Sequence, residues 1–129
     1  MTNKIMAIAL VVADLKKAID FYQNKLGLKL KTNEEGFADF ETEGTTLALL
    51  EKKVAEDLAG KEKVGTDSSL PRSSILAWDA VEDVDILHKE LKDKGVEFTV
   101  EPKTMSWGQR VAYFSDPDGN LWEISQWVK

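Results

Sequence analysis

Phe114-Ser115-Asp116-Pro117-Asp118-Gly119-Asn120-Leu121-Trp122-Glu123-Ile124 is the stretch whose reading decides the fold. Asp116, Pro117 and Gly119 occupy the first, second and fourth positions of a type I turn. There the aspartate bonds forward, proline presets φ and glycine accepts unusual geometry. The turn is expected to join strands Arg110–Phe114 and Leu121–Gln126 into a hairpin. Side chains alternate along a strand, so Glu123 points to the face opposite Trp122 and Ile124. A carboxylate there is either a rim charge in solvent or a polar group aimed into a cavity, since charged residues are rarely buried unless paired.

Upstream of the hairpin, Ser74–Trp78 reads as a strand. Asp83 caps a helix whose apolar stripe is Val84, Leu87 and Leu91, Gly95 stops that helix, and Val96–Val100 is a further strand. The first half follows the same order. Ile5–Val12 is β-branched and apolar and is expected to be a central strand covered on both faces. Asp14 caps a helix with Leu15, Ala18, Ile19, Tyr22 and Leu26 on one face, and Gly27 ends it. Leu28–Thr32, Phe37–Thr42 and Thr46–Glu51 are strands separated by turn residues. Lys52–Gly60 has helical character, and Lys61–Arg72, with Gly65, Asp67, Ser68, Ser69 and Pro71, reads as linker.

A βαβββ unit therefore occurs twice, with Asp14 answering Asp83, Gly27 answering Gly95, and the Phe40…Gly44 turn answering Phe114…Gly119. The expected fold is α+β: two βαβββ modules pairing into a curved mixed sheet around a cup-shaped cavity, helices outside. Residues 1–129 form one domain, with module one about 1–52, linker about 53–72 and module two about 73–129. Neither unit has enough apolar surface to stand alone, which is the physical reason for pairing them.

Composition narrows the function. With 129 residues the chain is long enough to bury a core without staples, and with no cysteine it has no disulfide, thiolate nucleophile or zinc-thiolate site. That is consistent with a cytoplasmic location. A net charge of −6 argues against a nucleic-acid partner, which needs Lys and Arg to displace counterions. No segment approaches the roughly twenty apolar residues that cross a membrane, so no membrane role is expected. Ile5–Ala13 resembles a signal-peptide core only superficially, because a patterned helix follows at once.

Val12-Ala13-Asp14-Leu15…Phe21-Tyr22…Leu26-Gly27, together with Gly108…Phe114-Ser115-Asp116-Pro117-Asp118-Gly119-Asn120…Glu123, resembles the glyoxalase / bleomycin resistance protein / extradiol dioxygenase superfamily, also called the vicinal oxygen chelate superfamily. The resemblance spans nearly the whole chain. It implies paired modules, a cup-shaped cavity between them and commonly a homodimer. In metal-dependent members a divalent cation is held by His or Gln on first strands and Glu on last strands. Carried over, those positions fall on Ala7, near Ala48, within Ser74–Leu76 with Ala80 as an apparent extra residue, and on Glu123. Only Glu123 matches, and one carboxylate does not make a tight metal site. No cofactor is therefore expected. His88, the only histidine, is expected on the second helix, away from the cup. Asp39, Glu41, Glu43 and Asp79 could regroup around Glu123, although nothing in their spacing demands it.

The remaining candidates are ligand-binding residues. Trp107 and Met105 lie in a loop-like stretch before a strand, where an indole could stack on a planar ligand. Gln109 and Arg110 could add polar contacts, and Phe114 lines the cup or the core. Ala7 and Ala48 would line the cavity floor at the vacated ligand positions. Trp78 and Trp122 are expected to pack against the helices, and Trp127 to cap the core or meet a second subunit. Glu123 is the one catalytic candidate, as a general base if an apolar cup raises its pKa. The leading reading is metal-free binding of a small, aromatic or cationic molecule in the cavity of a homodimer, as in the drug-sequestering members. The alternative is a divergent metal-dependent lyase, isomerase or dioxygenase using Glu123.

Overall fold

The computed structural model describes residues 2–79 and 81–128, so Ala80, read above as an extra residue, lies outside the described residues. The chain forms two compact units, one running to Asp67 and the other starting at Ser68.

Module one contains β1 (Ala7–Val12), α1 (Leu15–Asp20), β2 (Lys29–Glu34), β3 (Phe37–Glu41), β4 (Thr46–Glu51) and α2 (Lys52–Ala59). Its sheet runs β1-β4-β3-β2. β1 lies parallel to β4, and the other pairs are antiparallel. Asp14 caps α1 as expected, its Oδ1 accepting the Lys17 N–H at 3.1 Å. The helix buries Leu15, Ala18 and Ile19, then widens into a π-helical turn over Phe21–Lys25. More residues per turn bring successive side chains closer in direction. Adjacent Phe21 and Tyr22 are consequently both buried, with their rings edge to face at 5.2 Å. Tyr22 reaches the Phe40 ring at 5.9 Å, which marks the face of the sheet that the helix covers. Leu10, Val12, Ala38 and Leu49 are buried with it.

β1 departs from expectation, because it is an edge of its sheet with Ile5 and Met6 before it exposed. A short apolar run reports burial tendency, and β4, itself apolar at Leu47, Ala48 and Leu49, occupies the inner place between β1 and β3. α2 confirms the helical character of Lys52–Gly60. Its Val54 packs so closely on the β2–β3 turn that a Cβ on Gly36 would lie 2.5 Å from Val54 Cγ2.

Module two contains β5 (Leu76–Ala77), α3 (Val84–Asp93), β6 (Glu97–Thr104), β7 (Gln109–Ser115) and β8 (Leu121–Trp127) in the order β5-β8-β7-β6. The duplication read from spacing is thus a duplication of topology, α+β with one mixed four-stranded sheet per module. Asp83 caps α3, its Oδ1 accepting the Ile86 N–H at 3.0 Å. β5 is shorter than expected, with ladder pairing at only two residues. β6 is longer and runs through Pro102, which its edge position and its register shifts accommodate.

The β7–β8 turn forms as read. The Gly119 N–H donates to the Asp116 carbonyl at 3.0 Å. Asp116, only 6% exposed, accepts the N–H groups of Asp118 and Asn120 on Oδ1 at 2.9 and 2.8 Å, and the Asn120 side-chain amide on Oδ2 at 2.9 Å. Gly119 has φ +85°, and a Cβ there would lie 3.0 Å from both Ser68 Cα and Arg72 Nη2. Arg72 donates to the Asp118 carbonyl. The end of the expected linker is therefore fastened to the turn.

Candidate functional site

Register sorts the side chains of β7 and β8 between two faces. Phe114 opposes Trp122, and Ala112 opposes Ile124. α3 covers this side: its Val84 N–H donates to Gln126 Oε1 at 2.7 Å, and the His88 ring meets Phe98 edge to face at 4.5 Å. The opposite face carries the rungs Tyr113–Glu123, Val111–Ser125 and Gln109–Trp127.

Glu123 is therefore on the face turned away from the helix, as its alternation with Trp122 and Ile124 requires. Its cross-strand neighbours are Tyr113 on β7 and Ala77 on β5. The Tyr113 hydroxyl donates to Glu123 Oε2 at 2.9 Å. Burial pushes the Tyr113 pKa up, and the hydrogen bond to Glu123 adds to the rise, so the phenol stays protonated and acts as donor. Tyr113 is the neighbour of Glu123 that sequence reasoning missed. Its signal is arithmetic: counting outward from the turn, Ser115 opposes Leu121 and Tyr113 opposes Glu123.

At the far end of this face, β6 and β7 are joined by a turn closed by Gly108 N–H to Met105 carbonyl at 3.0 Å. Trp107 stands at its tip, 60% exposed, and its indole N–H donates to Gln109 Oε1 at 2.9 Å. Met105 is half-buried beside it. Trp127, the rung partner of Gln109, is 65% exposed. The face thus grades from a carboxylate–phenol pair to an amide between two exposed indoles.

Two sequence candidates sit elsewhere. Arg110 is on the helix side, its Nε and Nη2 donating to the Asp85 carboxylate at 2.7 and 2.9 Å and its Nη1 to Thr104 at 3.0 Å. The Arg110 hydrogen bond holds the Asp85 carboxyl below its usual range. Phe114 is fully buried and stacked parallel to Trp122 at 6.3 Å. Neither side chain shares the face of Glu123, because even and odd positions of β7 diverge. In module one, Ala7 is exposed on β1 opposite Thr46, and Ala48 is buried on β4 between Ala9 and Asp39.

The residues do not fit a resident divalent cation. Ala7, Ala48 and Ser74–Leu76 supply no imidazole or carboxylate. Among the described residues no group of three or more His, Cys, Asp or Glu side chains could hold a metal ion. His88 stays on α3 between Phe98 and Glu101, with Nε2 3.0 Å from Glu101 Oε1 but not aligned as a hydrogen bond. Among the described residues no helix is long and apolar enough to cross a membrane.

Comparisons with known proteins agree with this architecture. The sequence profile of the Glyoxalase/Bleomycin resistance protein/Dioxygenase superfamily matches residues 4–124. The uncharacterised protein YraH of Bacillus subtilis is 37% identical over 124 residues, covering 94% of this chain and 96% of YraH. The bleomycin resistance protein of Geobacillus stearothermophilus is 33% identical, covering 94% of this chain and 95% of its own length. The crystal structure of a glyoxalase/bleomycin resistance protein/dioxygenase from Nocardioides superimposes with a TM-score of 0.86 at 30% identity, covering 100% of this chain and 86% of that one.

Proposed function

Because the chain belongs to the glyoxalase/bleomycin resistance protein/dioxygenase superfamily, we propose that it binds a small aromatic or cationic molecule without a metal ion, using the face of module two that carries Glu123. The observation that supports this most is the Tyr113–Glu123 pair on the same face as Gln109 and Trp127. A half-buried carboxylate accepting a phenol keeps its second oxygen for a ligand donor, and exposed indoles offer planar surface for stacking. The 33% identity to proteins named for bleomycin resistance supports a binding role, and the alanines at the vacated ligand positions weigh against metal chemistry.

The test pairs metal analysis with fluorescence. Protein purified without chelator is expected to carry far less than one equivalent of Ni, Zn, Mn or Fe after soaking. 9-Aminoacridinium, a planar cation that carries N–H donors, should quench Trp fluorescence saturably, and Glu123→Gln should weaken that binding about tenfold, the scale of one charge-assisted hydrogen bond. One equivalent of metal that disappears in Glu123→Ala would overturn the reading in favour of a metal-dependent lyase, isomerase or dioxygenase.

A further inference from the structure

The aromatic end of the module-two face is held from behind. One rung in from Gln109–Trp127, the residues Thr104, Arg110 and Gln126 lie side by side across β6, β7 and β8. Their side chains serve the helix side. Arg110 forks the Asp85 carboxylate with Nε and Nη2, and its Nη1 donates to Thr104 Oγ1 at 3.0 Å. Gln126 accepts the Val84 N–H on Oε1 at 2.7 Å and donates from Nε2 to the Glu82 carbonyl at 3.1 Å. The start of α3 thus grips one rung of three strands.

The indoles stand on the other side of the sheet. β7 steps from Arg110 to Gln109, whose side chain accepts the Trp107 indole N–H at 2.9 Å and whose rung partner is Trp127. Trp107 is 60% exposed, so packing does little to fix it. Its turn is closed by the Met105 N–H donating to the Gln109 carbonyl at 2.7 Å and the Val128 N–H donating to the Gly108 carbonyl at 2.9 Å. β6 reaches that turn through register shifts between Phe98 and Lys103, a stretch that includes Pro102, which has no N–H. The ladder behind the turn is therefore interrupted, and Arg110 joins the turn-side end of β6 to β7 and to α3 by side-chain bonds.

A surface ion pair adds little to overall stability, but a guanidinium fork on a carboxylate fixes direction. We infer that Arg110, through Asp85 and Thr104, is a positioning residue that holds the Trp107 turn so that its indole stands ready to stack on a planar ligand. This rests on the reading that the Glu123 face binds such a molecule. Arg110 touches no ligand itself, because its side chain is on the helix side. Its role is to order an exposed indole before binding, which removes that entropic cost from the binding step.

The experiment titrates 9-aminoacridinium, followed by the dye's own fluorescence, into wild type and Arg110→Lys, and follows solvent exchange of the four tryptophan indole N–H protons by NMR. Lysine keeps the charge but cannot fork. Arg110→Lys is expected to weaken dye binding about three- to tenfold, the cost of ordering one side chain. It should also speed exchange at the Trp107 indole alone, whose signal is identified by its loss in Trp107→Leu. Once Trp107→Leu is present, adding Arg110→Lys should weaken binding no further, a result that general loosening of the fold would not give. Wild-type affinity in Arg110→Lys, faster exchange at all four indoles, or an equal further loss in the Trp107→Leu background overturns this inference while leaving the Glu123 reading in place. Failure of the wild type to bind the dye overturns both. If Arg110→Lys does not fold, Asp85→Asn, which alters the other half of the fork, gives the same readouts.

Discussion

The two modules share one topology and differ in how they use the same rung. In each, the first strand lies parallel to the last, an aspartate caps the helix, and a phenylalanine on the third strand is buried under that helix. Beyond that shared frame, the face away from the helix diverges: Tyr113 with Glu123 in module two, Asp39 with Ala48 in module one. The helix-covered face is held similar by packing, where a change of one methylene is felt. The other face is free to change its chemistry without losing the fold, and it is there that the two modules differ.

That equivalence can be broken at three points. The largest effect is expected from Phe40→Ala and Phe114→Ala, each costing about 3–5 kcal/mol in chemical denaturation. A much smaller cost at either position would show that the two phenylalanines are not counterparts. Next come the turn glycines. Gly44 and Gly119 both have positive φ, but a Cβ meets nothing within 4 Å at Gly44 and meets the Ser68 backbone at 3.0 Å at Gly119. Gly44→Ala should cost about 1–2 kcal/mol for the left-handed backbone alone, and Gly119→Ala measurably more; equal costs would mean that the Ser68–Arg72 segment yields freely.

The smallest effect sharpens the difference between the rungs. Tyr113→Phe should cost about 1 kcal/mol at neutral pH by removing the bond to Glu123. Tyr113 has its pKa raised in the folded state, by burial first and by Glu123 second. Its contribution is accordingly complete below the unfolded value near 10 and is lost as pH rises through the higher folded value. Denaturation measured between pH 8 and 11 should show wild-type stability falling toward the alkaline end, with a shallower fall in Tyr113→Phe. Parallel curves would remove the hydrogen bond from the account.

Much of this fold is legible in local chemistry. Asp14, Asp83 and the Asp116–Gly119 turn act through their own neighbours in sequence, so their roles follow from residue type and spacing. The edge position of β1 does not follow, because apolar composition cannot say on how many sides a strand is bonded. The widening of the first helix at Phe21–Lys25 is equally hidden, since the apolar stripe Leu15–Leu26 satisfies ordinary helical spacing. Within the candidate site, the orientation of Glu123 is legible from strand alternation. Arg110 and Phe114 fall on the opposite face by that same alternation, but only the register, which pairs Phe114 with Trp122 and Tyr113 with Glu123, makes the sorting visible.

The insertion of the last strand between the first and third also orders events in time. β2 and β3 are joined by a short turn and can zip together as soon as both exist, whereas β1 has no partner in its sheet until β4, about forty residues later, has been made. During synthesis the apolar β1 segment therefore waits unpaired longest in module one, and the arrival of β4 completes both halves of the sheet in one step.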